Sequence, residues 1–170
     1  MQNDVIAYKV GGQIIDTQTA DVSSLNAFEP LLFNNTKDSL EVIRHSCAHL
    51  MAQAIKALYP EAKFFVGPVI EDGFYYDFRV DTKIGDADLK AIEQKMSELA
   101  NAKLPIEKIC TTKAEALKHF AKDDLKQEVL LRIPEGEVSI YKQGDFEDLC
   151  RGPHVPNTRY LRFFKLIKVA

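Results

Sequence analysis

A helical pattern runs unbroken from Asp38 to Tyr59 and is stopped by Pro60, and every other element of the chain has to fit around it. Asp38 is placed to cap its N-terminus, with Glu41 three residues on to complete a capping box. Leu40, Ile43, Cys47, Leu50, Ala54 and Leu58 recur at helical spacing and predict the buried stripe. A helix with one apolar stripe needs a partner layer to bury it.

The partner layer is written on both sides of that helix. Before it, short apolar runs from Val5 to Ile15 flank Gly11 and Gly12, which predicts a small hairpin, and the polar stretch Asp16 to Asn26 follows as a connector. After it, KFFVGPVI and FYYDFRV flank Glu71, Asp72 and Gly73 and predict an antiparallel hairpin. Asp86 is expected to cap a second helix through about Ala102, and a strand over Ile106 to Cys110 leads to a third helix with a Thr112/Glu115 capping box. Leu125 to Ile133 reads as a fourth helix ended by Pro134. VSIYKQ and FEDL, joined by Gln143-Gly144-Asp145, form a second hairpin, and the basic stretch RYLRFFKLIK closes as a last strand. Strands joined by hairpin turns and separated by single helices predict an α+β fold: an antiparallel sheet with helices packed on it. The boundary expected near Asn34 to Lys37 divides the chain into an N-terminal appendage, residues 1–37, and a main domain, residues 38–170.

Composition narrows the function classes. With 170 residues, 46% of them hydrophobic, the chain is long enough for one self-sufficient core. It has neither an apolar run of roughly 18 residues nor an N-terminal basic-then-apolar signal, so the expected setting is cytoplasmic with no membrane. A formal charge of −3 provides no overall drive for counterion release from nucleic acid, so any RNA affinity must be local. The densest candidate is the C-terminal stretch holding Arg159, Arg162, Lys165 and Lys168, for which a half-buried strand with solvated cations is the simpler reading. Three cysteines without framework spacing fit reduced thiols. Cys47 and Cys110 are expected to be buried, and His119 to lie on an exposed helix position.

Two short constellations remain. His45 and His49 stand four apart, so their rings leave one helix face a turn apart, beside the small residues Ala48 and Ala52. In DLCRGPH, the residues Asp148, Cys150 and His154 crowd around Gly152 and Pro153, a composition that lets a turn bring thiol and imidazole together. If the two pairs converge, three imidazoles and one thiol share a site. Such a set admits a tetrahedral zinc shell, a nucleophilic cysteine activated by histidine, or a water held and deprotonated for attack on an ester. Spacing alone does not choose among them.

The wording RHSCAHLMAQAIKALYPEAKFFVGPVIEDGFYYDF, followed by DLCRGPHVPNT, resembles the second N-terminal domain of bacterial threonyl-tRNA synthetases, whose fold is shared with the alanyl-tRNA synthetase editing domain. The likeness runs from about Asp38 to the C-terminus. It implies an editing domain that hydrolyses serine wrongly attached to threonine tRNA, with His45, His49, Cys150 and His154 lining the hydrolytic pocket. By the same resemblance Lys126, in DDLKQEV, and Asp148 match the family's lysine and aspartate, with Lys126 stabilising the oxyanion and Asp148 holding the substrate ammonium or orienting a base. Gly67 and Tyr76 are placed as pocket walls for the aminoacyl group or terminal adenosine. The implied partners are the acceptor end of threonine tRNA carrying serine and the remaining synthetase domains, catalytic and anticodon-binding. No cofactor is expected to be required. Zinc held by His45, His49, Cys150 and His154 is the alternative, as in the alanyl-type relatives, and a non-catalytic tRNA-binding module is the other. The 37 residues before Asp38 look abbreviated against the family's N-terminal domain. The sequence also offers no class II catalytic motifs, so aminoacylation and ATP use are not expected of it.

Overall fold

A computed structural model of the chain describes residues 4–19 and 27–170. The connector expected over Asp16 to Asn26 falls partly outside them. The N-terminal hairpin forms from β1 (Val5–Val10) and β2 (Gln13–Ile15), turned by Gly11 and Gly12, both with positive φ. A third strand not anticipated from sequence, β3 (Glu29–Leu32), pairs antiparallel with the other edge of β1. Its four residues begin with Glu-Pro and carry no alternation to announce a strand.

The long helix α1 spans Lys37–Leu58. Its N-cap is Thr36 rather than Asp38, because Asn34 turns the chain two residues earlier. Asn34 Oδ1 accepts from Thr36 N at 3.0 Å, and Ser39 Oγ donates to Leu32 O at 2.8 Å. Asp38 sits inside the first turn, where a carboxylate favours the positive helix end, and pairs with Lys9 at 2.7 Å. The buried face is wider than the expected stripe. Cys47, Leu50 and Ala54 are buried, Leu40 and Ile43 only half-buried, and Leu58 is 40% exposed, while Ser46, Ala48, Ala52 and Gln53 are as buried as any apolar residue. The reason is tertiary: the second helix packs on one side of α1, and the strand segments Val69–Ile70, Gly73–Phe74 and Phe146–Leu149 pack on the others, so its small residues become close-approach sites.

The first hairpin after α1 is one antiparallel ribbon broken in the middle. β4 (Lys63–Phe64) pairs with β7 (Phe78–Arg79), and β5 (Val69–Ile70) with β6 (Gly73–Phe74). Between them Phe65 N and Asp77 N reach across to Asp77 O and Val66 O. The break falls at Gly67-Pro68. The second helix α2 (Leu89–Asn101) is preceded by a 3-10 turn over Asp86–Asp88. Asp86 therefore does not cap it; Gly85 starts the turn, with Gly85 N donating to Asp88 Oδ2 at 2.9 Å.

The remaining sheet is a meander, β8 (Ile106–Thr112), β9 (Glu137–Gln143) and β10 (Phe146–Leu149), in the order β10-β9-β8. Two helices, α3 (Lys113–His119) and α4 (Asp124–Arg132), lie between β8 and β9. Thr112 caps α3 by accepting from Glu115 N, as the sequence predicts, and Asp123 caps α4 by accepting from Lys126 N. Cys110 is exposed rather than buried, as is its neighbour Ile109 on the opposite face, because β8 is the edge strand of its sheet and is covered on neither side at this point. His119 is on the surface and pairs with Glu147 at 2.7 Å.

RYLRFFKLIK does not form a last strand. After a 3-10 turn at Thr158–Tyr160 the chain runs without regular structure along α2, tied by Glu93 accepting from Leu166 N at 2.7 Å and Asp86 accepting from Val169 N at 2.9 Å. Its amides bind carboxylates instead of a strand edge. Two of its four cations, Arg159 and Lys165, are paired with Asp4 and Glu93.

The main core runs from Ile6 and Ala7 on β1 through Leu50 and Ile55 on α1, Ile92 and Met96 on α2, to Leu161 and Leu166. A small satellite holds Ala116, Leu130 and Val138. The α+β class with antiparallel sheets is as expected. Among the described residues no helix is long and apolar enough to cross a membrane.

Candidate hydrolytic site

Two segments a hundred residues apart in sequence meet at one place. α1 brings His45 and His49; the turn after β10 brings Cys150 and His154. One ligating atom from each of the four lies within 4.8 Å of the others. The turn is built for the approach. Cys150 N continues the ladder by donating to Ser139 O at 3.1 Å, Gly152 takes φ +75°, the Gly152-Pro153 peptide is cis, and His154 lies against Cys150. Gly152 cannot be replaced without movement: a Cβ there would stand 1.9 Å from the Tyr141 hydroxyl.

The rings are close. His154 lies 4.3 Å from His45, nearly stacked, and 4.2 Å from His49, measured between ring centres. Cys150 Sγ is 3.3 Å from both His45 Nε2 and His154 Nε2. The hydrogen bonds at the far nitrogens assign the tautomers. Ser46 Oγ spends its proton on Val42 O at 2.8 Å and accepts from Val155 N at 3.0 Å, so the His154 Nδ1 contact at 3.0 Å must be an N–H donating to it. His45 Nδ1 faces the carbonyl of Pro153 at 3.3 Å and is likewise the donor. Both Nε2 atoms therefore present lone pairs to one thiol that has one proton to give.

Burial keeps these groups uncharged. His49 and His154 are 3% and 2% exposed, and desolvation, reinforced by neighbouring imidazoles and, for His49, by the Lys126 cation, holds both well below the ordinary histidine range. His45, half-buried, is lowered by the same desolvation. Burial pushes the Cys150 thiol up to about 12. The set at neutral pH is three free-base imidazoles and a protonated thiol. A thiolate nucleophile is disfavoured; a lone pair for a water proton, or for a metal ion that would displace the thiol proton, is available.

Beside the cluster lies a second unit. Lys126 Nζ stands 2.5 Å from Asp148 Oδ1 with both side chains almost fully buried, and it also donates to Phe65 O at 3.2 Å. The ion pair is close but poorly angled, so Asp148 Oδ1 accepts no well-formed hydrogen bond, while Oδ2 accepts from the Tyr76 hydroxyl. The Tyr76 ring lies 6.0 Å from His49 and joins the two units. Gly67 lets that ring in: a Cβ at Gly67 would sit 2.5 Å from two of its carbons. Gly67→Ala is expected to push Tyr76 off Asp148 and lower stability by about 1–3 kcal/mol, measured by urea unfolding.

A cleft of about 560 Å³ opens onto the cluster. His45, Gly67, Gly152 and Pro153 form its floor; Lys9, Asp38 and Glu41 put charges at its wall, and Gly12 and Ile14 bring the N-terminal hairpin to it. His49, His154, Lys126 and Asp148 lie behind this surface. Of the residues expected at the site, the structure thus brings His45, His49, Cys150 and His154 into one cluster, sets Lys126, Asp148 and Tyr76 beside it, and puts Gly67 on the cleft.

Sequence reasoning missed Ser46, Tyr141 and Asp16. Ser46 was hidden one residue from His45, although a serine on a buried helix face already asks for a partner. Asp16 begins a polar connector, and nothing in its neighbourhood marks it.

Comparison with known proteins relates the chain to the threonine–tRNA ligases. Residues 138–170 match the family model described as the threonyl and alanyl tRNA synthetase second additional domain. Along its whole length the chain is 69% identical to part of the threonine–tRNA ligase of Campylobacter lari and 69% identical to that of Campylobacter jejuni; 99% of it aligns with the ligase of Campylobacter curvus at 67% identity. The chain spans 28% of the length of each of these relatives.

Proposed function

We propose that this chain, a member of the threonyl- and alanyl-tRNA synthetase second-additional-domain family, hydrolyses the ester bond of seryl-tRNA made in error on threonine tRNA. One observation carries the proposal: three uncharged imidazoles and a thiol meet within 4.8 Å, and one of the imidazoles, His45, lines a cleft. In the reaction a water oxygen bonds to the seryl carbonyl carbon and the bond from that carbon to the terminal ribose oxygen breaks. The water's proton passes to an imidazole lone pair, and a proton returns to the departing ribose oxygen, leaving free serine and uncharged tRNA.

His45 is the one of the three imidazoles that lines the cleft, and the Nδ1 bond to Pro153 O leaves its Nε2 lone pair as the base. His49 and His154 hold the water's environment, and Cys150 positions it. Lys126 is engaged by Asp148 and Phe65 O behind the wall, so its charge acts across Tyr76 and His49 on the developing oxyanion rather than by open contact. Asp148 holds Lys126 and Tyr76 in place.

Serine and threonine differ by one methyl, which a synthetic pocket can discriminate by only about 1–3 kcal/mol. A second site that excludes the methyl by close packing supplies the rest, because an overpacked contact costs on the order of 1–3 kcal/mol. Given seryl-tRNA and threonyl-tRNA on the threonine acceptor, the chain is expected to release serine at least about tenfold faster than threonine. His49→Ala and Cys150→Ala are expected to abolish serine release with the fold retained, followed by circular dichroism; hydrolysis unchanged in both variants would remove the site from the reaction.

The same donor set supports a second reading, a zinc-dependent deacylase. Cys-His₃ is a recognised zinc shell, and the 3.3 Å separations of Sγ from two Nε2 atoms suit tetrahedral edges of about 3.4–3.6 Å, although the full 4.8 Å spread would have to contract. Zinc held there with one coordination position left open would lower the pKa of a coordinated water. Stoichiometric zinc in the purified chain, activity lost to chelator and restored by zinc, would favour this reading over the metal-free one.

A further inference from the structure

The N-terminal hairpin is wired to the hydrolytic turn through one buried carboxylate. Asp16, directly after β2 and only 5% exposed, accepts from His154 N through Oδ1 at 2.8 Å and from the Tyr141 hydroxyl through Oδ2 at 2.7 Å. Lys108 Nζ stands 3.7 Å from Oδ2, and Thr19 Oγ1 donates to it at 3.3 Å. Of the two partners it joins, His154 belongs to the turn and Tyr141, on β9, packs against it. The Tyr141 ring packs edge-on against the His154 ring at 4.4 Å, and its hydroxyl fills the space beneath Gly152.

We infer that Asp16 is a positioning residue for His154: by gripping the His154 amide and the Tyr141 hydroxyl together, it fixes where the His154 ring stands against Cys150 and His45. The inference rests on the hydrolytic reading above and extends the site into residues 1–37, which by sequence seemed only an appendage. Asp16 does not line the cleft and touches no substrate, so it acts on turnover and not on binding. Nor does the grip need a charge. An asparagine can accept from the His154 amide with its oxygen and donate its NH₂ to the Tyr141 oxygen, whereas alanine makes neither contact. Loss of fixed geometry of this kind lowers the rate of the chemical step far more than it weakens binding.

The experiment is steady-state hydrolysis of seryl-tRNA by the whole chain and by Asp16→Ala, Asp16→Asn and Tyr141→Phe, each rate corrected for the folded fraction from a denaturant curve taken in the same buffer. For Asp16→Ala kcat is expected to fall about 30-fold or more with KM within about threefold of the parent. Asp16→Asn is expected to keep kcat within about threefold, and Tyr141→Phe, which retains the ring, to lie between the two. Parental kcat in folded Asp16→Ala would overturn the inference. So would Asp16→Asn as impaired as Asp16→Ala, since a charge and not a grip would then be at work, or a loss confined to KM. If the unaltered chain released no serine, the hydrolytic reading itself would fail, which is distinguishable from all three.

Discussion

Replacing Lys126 by methionine is expected to lower the unfolding free energy by about 3–5 kcal/mol. Lys126 and Asp148 have side chains 4% and 1% exposed, and Lys126 is the only cation within ion-pair distance of this carboxylate among the described residues. Methionine fills nearly the same volume without the charge. Asp148 would then keep only the Tyr76 hydroxyl as a partner, a hydrogen bond that cannot offset the hydration a buried carboxylate gives up. The poor angle of the ion pair matters little to this outcome, since the cost comes from the charge left behind and not from the bond removed. The double variant Lys126→Met with Asp148→Asn separates the two: once the carboxylate is neutral the orphaned charge is gone, and at least half the lost stability should return. Urea unfolding followed by circular dichroism measures all three proteins. A loss below about 1 kcal/mol in the single variant would mean that Asp148 is hydrated or protonated without its lysine, and the buried ion pair would lose its structural role.

How far the sequence foretold this arrangement depends on the range over which each signal acts. Local signals were reliable: Pro60 ended α1, Thr112 capped α3, and Gln143-Gly144-Asp145 turned β9 into β10. They are set by a few neighbouring dihedrals. Errors came where tertiary contacts outweighed local preference. Asp38 looked like a cap until the Asn34 turn started the helix earlier, and the apolar alternation of RYLRFFKLIK promised a strand until Glu93 and Asp86 took its amides. Cys110 shows the same limit, because that β8 is an edge strand left open on both faces there cannot be read from β8. At the site, His45 and His49 were legible from helical spacing, Cys150 and His154 from turn composition, and their convergence from family likeness. Asp16 was not legible at all. Its contacts lie 125 and 138 residues away in sequence, at Tyr141 and His154, and a single aspartate in a polar stretch carries no pattern.

Acidification should destabilise this protein well before its carboxylates titrate. His49 and His154 are held well below the ordinary histidine value of 6.5, chiefly by desolvation, whereas in the unfolded chain both return to it. Above pH 6.5 neither state binds these protons and stability is unaffected. Below 6.5 the unfolded chain takes up two protons that the folded chain refuses, so stability falls as pH falls, by up to about 2.7 kcal/mol per pH unit for the pair. Between pH 7 and pH 5 the loss should reach about 4 kcal/mol, a large share of a stability of about 5–15 kcal/mol. Urea midpoints collected at half-unit intervals from pH 8 to 5 measure it, and His154→Gln, which leaves His49 and the less strongly depressed His45, should show a shallower slope. The same depression separates chemistry from stability. Imidazoles that stay unprotonated below 6.5 keep their lone pairs, so serine release should follow the folded fraction on the acid side and show no step of its own near 6.5. Midpoints that stayed level down to pH 5 would mean that the folded cluster accepts protons, and three imidazoles in contact could then not all be free bases awaiting a water.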